Sequence, residues 1–316
     1  MELHFLGTGA GMPSKERNTS SLAFKLLEER GTIWLFDCGE ATQHQILQTT
    51  IKPRKIEKIF ITHLHGDHIF GLPGLLSSRS FLGGVDPLVL YGPKGLKEWV
   101  LCSLEISNTH LTYPLQFVEI EEGIIFEDDQ FIVTVKQLEH VIPCYGYRIE
   151  QKPLLGELLI DKAKALGVPK GPLLGKLKHG EDVTLEDGTV VYSKDVTAPP
   201  KKGFVVTILG DTKYCDASRE LSKDADIVVH EATFDHKTDH LASDYGHSTN
   251  MDAAKIANEA SAKHLILNHI SARFLPQDME GIINEAKTIF PHVFVANDFS
   301  VFTLKQGKLV EVNEEL

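Results

Sequence analysis

The chain has 316 residues, 42% hydrophobic and 24% charged, an ordinary globular composition that is long enough for a large core. A formal net charge of −12 argues against nucleic-acid binding over the whole surface, while leaving room for a local basic patch. Cys38, Cys102, Cys144 and Cys215 are scattered with no CxxC spacing, which excludes a dense disulfide framework and argues against thiolate metal ligation. With no signal-peptide pattern in MELHFLGTGAGMP and no apolar run near the ~20 residues of a membrane span, the expectation is a soluble cytoplasmic protein with no membrane partner.

In chain order, ELHFLG predicts a short strand that runs into the glycine-rich turn GTGAG. SLAFKL and TIWLFD predict two more strands, the second ending at Asp37-Cys38-Gly39. ATQHQILQTT has helical character, and KIEKIFIT reads as a buried strand leading into His63-Leu-His65-Gly-Asp67-His68. Late in the chain FVVTILGDT, DIVVHEAT, HLILNHIS and FVANDF repeat one pattern: an apolar run followed at once by ligand-type side chains. Strands ending in such residues and alternating with helices predict an α/β layered fold with its site at the strand ends.

Residues 151–200 break this rhythm. The segment is rich in Gly and Pro, and over 151–180 six lysines stand against Glu157 and Asp161. A basic segment within an acidic chain predicts an inserted arm on a single domain spanning 1–316; a plain solvated loop is the alternative that charge alone allows.

The chemistry concentrates in the histidine run. Alternate residues of an extended segment point the same way, so His63 and His65 can grip one ion, while Gly66 turns Asp67 and His68 toward a neighbouring position. One ion cannot easily take all four, so the spacing suggests two metals, with imidazole and carboxylate donors favouring zinc over manganese or iron. His140, Asp211 and His269, each at the end of an apolar run, are the candidates to complete the set, and Asp211 is suited to bridging.

THLHGDH, preceded by FDCGE and followed by single His, Asp and His residues at these intervals, resembles the metallo-β-lactamase superfamily. That resemblance implies an αββα four-layer sandwich. Asp211 stands where the β-lactamases proper place Cys, so antibiotic hydrolysis is not expected. FLGTGAGMPSKERNTSS, HEAT at 230–233, HST at 247–249, GVPKGPLLGKLKHG and HISARF narrow the match, and together they closely resemble the ribonuclease Z family.

The family resemblance implies an endoribonuclease that removes the 3′ trailer from precursor tRNA, working as a homodimer with two Zn²⁺ per subunit and Mn²⁺ as a substitute. It implies that His63, His65 and His140 hold one ion, that Asp67, His68 and His269 hold the other, and that Asp211 bridges them. Asp67 would be the base for an activated hydroxide, and His247, oriented by Glu231, would protonate the leaving 3′ oxygen. A purely supporting role for Glu231 and His247 in the metal loops is the other reading. Lys15, Arg17 and Arg273 are expected to reach phosphates, and the arm, with Gly171 and Pro172 in its glycine–proline core, would be a flexible exosite for tRNA. The rival function is a small-molecule or cyclic-nucleotide phosphodiesterase on the same fold, for which a long basic arm has no use.

Overall fold

A computed structural model of the chain describes residues 1–312. They divide into two compact units, the first formed by Met1–Ile125, Val133–Ile149 and the described chain from Val205 onward, the second by Phe126–Ile132 and Glu150–Phe204.

The apolar runs of the first unit form strands that are buried on both faces. In Thr32–Phe36 and Ile56–Phe60 the odd-numbered Ile33, Leu35 and Ile59 turn to one face, where they pack with Ile46, Leu72, Leu75, Leu76, Leu96 and Val100 of the helices that cover it. The even-numbered Trp34, Phe36 and Phe60 turn to the other face. There Phe36 and Phe60 stack with ring centres 4.9 Å apart, and both meet the edge of Tyr147 from a second sheet, at 5.7 and 5.4 Å. Phe302 and Phe294 make a further contact between the sheets at 5.8 Å. Burying rings of this size supplies much of the apolar area that holds two sheets face to face.

The first sheet has eight strands in the order Lys308–Val312, Val301–Lys305, Glu2–Gly7, Ser21–Leu26, Thr32–Phe36, Ile56–Phe60, Leu88–Gly92 and Leu115–Glu119. Pairing is antiparallel as far as Thr32–Phe36 and parallel beyond it. The second sheet has seven, in the order Val293–Val295, Leu265–Asn268, Ile227–Glu231, Val205–Leu209, Cys144–Gln151, Phe131–Leu138 and Gly123–Glu127, the first four mutually parallel. Leu221, Ala253, Ala254, Ala257, Ile282 and Ala286 of three helices cover its outer face. The layers therefore read helix, sheet, sheet, helix, the αββα sandwich expected from the sequence. Among the described residues no helix is long and apolar enough to cross a membrane.

The second unit is more than a loop. It holds helices Ile160–Ala165 and Pro172–Lys178 and a two-stranded sheet of Val183–Thr184 with Val190–Val191. Ala163, Val168, Leu177, Val183, Val191 and Val196 form its own buried cluster. Lys162, Lys164, Lys170, Lys176 and Lys178 remain exposed around that cluster.

One charged group is built into the first sheet. Glu57 accepts from Arg30, Thr32, Trp34 Nε1 and Lys58 at 2.7–3.2 Å. Burial raises its carboxyl, but these donors outweigh burial and hold it at about 2. A depressed folded pKa contributes stability above the unfolded value of about 4.3, and that contribution is lost as pH falls toward 2. Glu57→Gln is therefore expected to cost about 1 kcal/mol near neutral pH, after allowance for solvent screening. The difference from the parent chain in urea unfolding should shrink steadily below about pH 4.

Candidate metal centre

The strand ends deliver the site. Thr32–Phe36 stops at Asp37, a non-glycine residue held at φ 56, and Ile56–Phe60 runs on through Ile61 and Thr62 into His63. Asp37 ties the two exits together, since its Oδ1 accepts from Thr62 N at 2.8 Å and its Oδ2 from the Thr62 hydroxyl at 2.9 Å. Gly39 follows because a Cβ there would lie 2.4 Å from Asp67 O, so only glycine lets the turn Gly66–Ile69 pack so closely.

From the second sheet come His140, two residues past Phe131–Leu138, then Asp211 after Val205–Leu209 and His269 after Leu265–Asn268. His269 also has a left-handed backbone, φ 54, a conformation costly for a residue with a Cβ and found where a side chain must be aimed.

These donors form two adjoining sets. His63, His65, His140 and Asp211 place their ligand atoms within 4.8 Å of one another, and so do Asp67, His68 and His269. In the first set His63 Nε2 lies 3.0 Å and His140 Nε2 3.3 Å from His65 Nδ1. In the second, His68 Nε2 lies 3.3 Å from His269 Nε2, and these nitrogens are 3.5 and 3.4 Å from Asp67 Oδ2. Two donors on one tetrahedral zinc at ~2.0–2.1 Å stand roughly 3.3 Å apart, so the spacing fits that ion. Asp211 Oδ2 is 3.6 Å from His63 Nε2, 3.5 Å from His68 Nε2 and 3.4 Å from His269 Nε2. A single carboxylate oxygen thus faces both sets, which suits the bridging role expected of Asp211.

Hydrogen bonds behind the imidazoles aim them. His140 Nδ1 donates to Gly246 O at 2.7 Å, which leaves the lone pair of its Nε2 to face the ion. His68 Nδ1 faces Asp37 Oδ2 at 2.7 Å, and His269 Nδ1 faces the Thr233 hydroxyl at 2.8 Å. Asp37, Thr62 and Thr233 are thus parts of the site that residue types alone did not single out. Asp37 and Thr233 stand within FDCGE and HEAT, so the only signal for them was their place in those motifs. Partners of this kind fix which nitrogen meets the ion and how basic it is.

The electrostatics demand a cation. Burial pushes the Asp67 carboxyl up, but bonds from His269 and His68 outweigh it and hold the group well below the usual carboxylate range. Asp211 is likewise raised by burial and more strongly lowered by the charges of His269, His68 and His63. Burial and the neighbouring His68 keep His63 neutral, as a metal ligand must be. Burial also disfavours charge on His68, but Asp211 and Asp37 draw its pKa up, so a positive charge at that imidazole is what the two carboxylates require. A metal ion would meet the same demand.

Beside the donors, His247 Nδ1 lies 2.9 Å from Glu231 Oε1. Glu231 is buried and also accepts from Thr212 N and the Thr233 hydroxyl at 2.8 and 2.6 Å. Burial lowers the His247 imidazole, yet Glu231 raises it further, to about 9. The predicted phosphate contacts separate. Lys15 is exposed on the glycine-rich loop, and Arg273 is exposed with its guanidinium 4.9 Å from the centre of the Phe234 ring. Arg17 differs from expectation: it is 8% exposed and donates to Thr8, Ala296 O and Asn297 at 2.6–2.8 Å, so its guanidinium is committed within the protein. Gly171, at φ 143, and Pro172 open the helix Pro172–Lys178 of the second unit.

Comparison with known proteins places this geometry. A family model described as anti-Pycsar protein Apyc1 matches residues 1–156. The chain is 59% identical over 304 residues to a ribonuclease Z of Anoxybacillus flavithermus (strain DSM 21510 / WK1), covering 96% of this chain and 97% of that protein. It is 57% identical over 307 residues to one of Bacillus mycoides (strain KBAB4), covering 97% of this chain and all of that protein. Among solved structures, the short form of human tRNase Z superposes with a TM-score of 0.68 at 31% identity, covering 96% of this chain and all of that one. The metallo-β-lactamase fold protein YhfI of Bacillus subtilis shares the fold at a TM-score of 0.66 and 20% identity, covering 95% and 98%. With relatives this similar along nearly its whole length, and donors arranged as described, the chain belongs to the ribonuclease Z family.

Proposed function

We propose that this chain is a zinc-dependent endoribonuclease that removes the 3′ trailer from precursor tRNA, leaving a 3′-hydroxyl on the tRNA and a 5′-phosphate on the trailer. The observation that carries the reading is the 59% identity to a ribonuclease Z over 96% of the chain. His63, His65 and His140 would hold one ion, Asp67, His68 and His269 the other, with Asp211 between them; manganese is the proposed substitute. When bound, such ions supply Lewis-acid charge for phosphate oxygens and bring a water's pKa to about 7.

The side chains supply the rest. Asp67, held ionised and 10% exposed, is placed to take the proton of the attacking water. Glu231 orients His247 through Nδ1, leaving Nε2 to give a proton to the departing 3′ oxygen. Being raised to about 9, that imidazole stays protonated near neutral pH, as an acid must. Lys15 and Arg273 are the exposed cations proposed to meet phosphates. Arg17, being committed to the interior, is withdrawn from that role.

The second unit is proposed as the exosite, gripping tRNA through its exposed lysines by counterion release and with no reading of sequence. A homodimer is part of the proposal, and the exposed apolar Phe81 and Ile106 are surface of the kind a second subunit covers. The free thiols of Cys38, Cys102, Cys144 and Cys215 suit a cytoplasmic setting.

Incubation with a precursor tRNA carrying a 3′ trailer tests the reading directly. A single cut with the stated end chemistry, lost in Asp67→Ala, is expected; cleavage of small phosphodiesters alone would move the function to another phosphodiesterase on this fold. His247→Ala should lower kcat by about 10²–10⁴-fold with zinc content unchanged, and an unchanged kcat would remove the acid role. Replacing Lys170, Lys176 and Lys178 by Ala should flatten the plot of log affinity against log salt by roughly 0.7–0.9 per lysine, with kcat on saturating substrate preserved.

A further inference from the structure

FVANDF carries an aspartate, Asp298, that the metal sets leave unused. Asp298 is half-buried just before the strand Val301–Lys305, and its carboxylate accepts four hydrogen bonds. Oδ1 takes Thr8 N at 3.0 Å and the Thr8 hydroxyl at 2.7 Å. Oδ2 takes Asn18 N at 2.7 Å and Gln45 Nε2 at 2.9 Å. Thr8 and Asn18 are the outgoing and returning limbs of the glycine-rich loop, themselves joined by Gly9 N to Asn18 O at 2.8 Å. One carboxylate therefore clamps both limbs, and Arg17 closes the clamp by donating to the Thr8 hydroxyl and to Ala296 O.

The clamped loop touches the candidate metal donors twice. At its tip Gly11, with φ +70, presents its N–H to Asp67 Oδ2 at 2.8 Å. Lower on the same limb, Gly9–Ala10 pairs with Ile270–Ser271, and Ile270 N donates to Thr8 O at 2.8 Å, fixing the backbone immediately after His269. Both contacts fall on the Asp67, His68 and His269 set, and neither falls on His63, His65 or His140.

We propose that Asp298, acting through Thr8 and Arg17, is a positioning residue that sets the geometry of the Asp67–His68–His269 metal set alone. This rests on the reading of Asp67 and His269 as metal ligands. Partners one step behind a metal ligand typically change metal affinity or activity 10–100-fold when removed, so a selective effect of about that size on one of two ions is the signature.

The test is zinc titration of the full-length apo-protein, followed by calorimetry, for the parent, Asp298→Asn, Thr8→Val and Thr8→Ser. Asparagine keeps the size of Asp298 but turns an N–H toward donors, and valine keeps the shape of Thr8 without its hydroxyl. We expect one equivalent to bind as in the parent and the other to weaken about 10–100-fold in Asp298→Asn and Thr8→Val, with recovery in Thr8→Ser. The kcat on precursor tRNA should fall with KM held. If Asp298→Asn fails to fold, the Thr8 pair carries the same comparison. Parent affinity for both equivalents, or equal weakening of both alongside a lower Tm, would overturn the proposal and leave the clamp as simple scaffolding. Asp67→Ala, run in parallel, separates the two ideas: if it too retains both equivalents, the ligand assignment is what fails.

Discussion

The rest of this structure is arranged around a concentration of buried carboxylates and imidazoles that calls for positive charge between them. Asp37, Asp67, Asp211 and Glu231 lie at one edge of the sandwich among the imidazoles of His63, His65, His68, His140, His247 and His269, most of them nearly inaccessible to water. An isolated buried carboxylate would cost several kcal/mol, so each needs a positive partner, whether a protonated imidazole such as His68 or a metal ion. The arrangement is stable when positive charge sits between the two donor sets, and that charge is also what phosphoryl chemistry requires. Stability and function draw on one interaction here.

The two facing sheets make the concentration achievable. Donors from Ile61–Ile69 leave the first sheet, whereas His140, Asp211 and His269 leave the second, so the site forms only when the aromatic layer of Phe36, Phe60 and Tyr147 holds the sheets in register. Such an interior is close-packed and deforms little, which keeps donor atoms from separate chain segments within a few tenths of an ångström of metal spacing. Side chains behind the imidazoles then select the nitrogen that points inward, and the Glu231–His247 pair places a protonated group beside the same edge.

Much of this was legible in the sequence because the signals are local. His63, His65, Asp67 and His68 share one short stretch, so their spacing alone implied two metal positions. His140, Asp211 and His269 each follow an apolar run, which put them at strand ends. Arg17 was not legible. A cation in a loop reads the same whether it is solvated or buried, and its burial depends on Ala296 and Asn297, 279 and 280 positions away. The supporting roles of Asp37 and Thr233 were hidden for the same reason, since a hydrogen bond behind a ligand has no sequence spacing. In the second unit, Ala163, Val168, Leu177, Val183, Val191 and Val196 are scattered between glycines and prolines without a regular period, so its small core could not be seen before the chain was folded.

Anomalous diffraction at the zinc edge, from crystals of the zinc-loaded protein, would test the central idea most directly. We predict two peaks per chain, one among His63, His65 and His140 and one among Asp67, His68 and His269, with Asp211 Oδ2 in contact with both. A single peak, or zinc bound away from these side chains, would contradict a binuclear centre built from the two sheets.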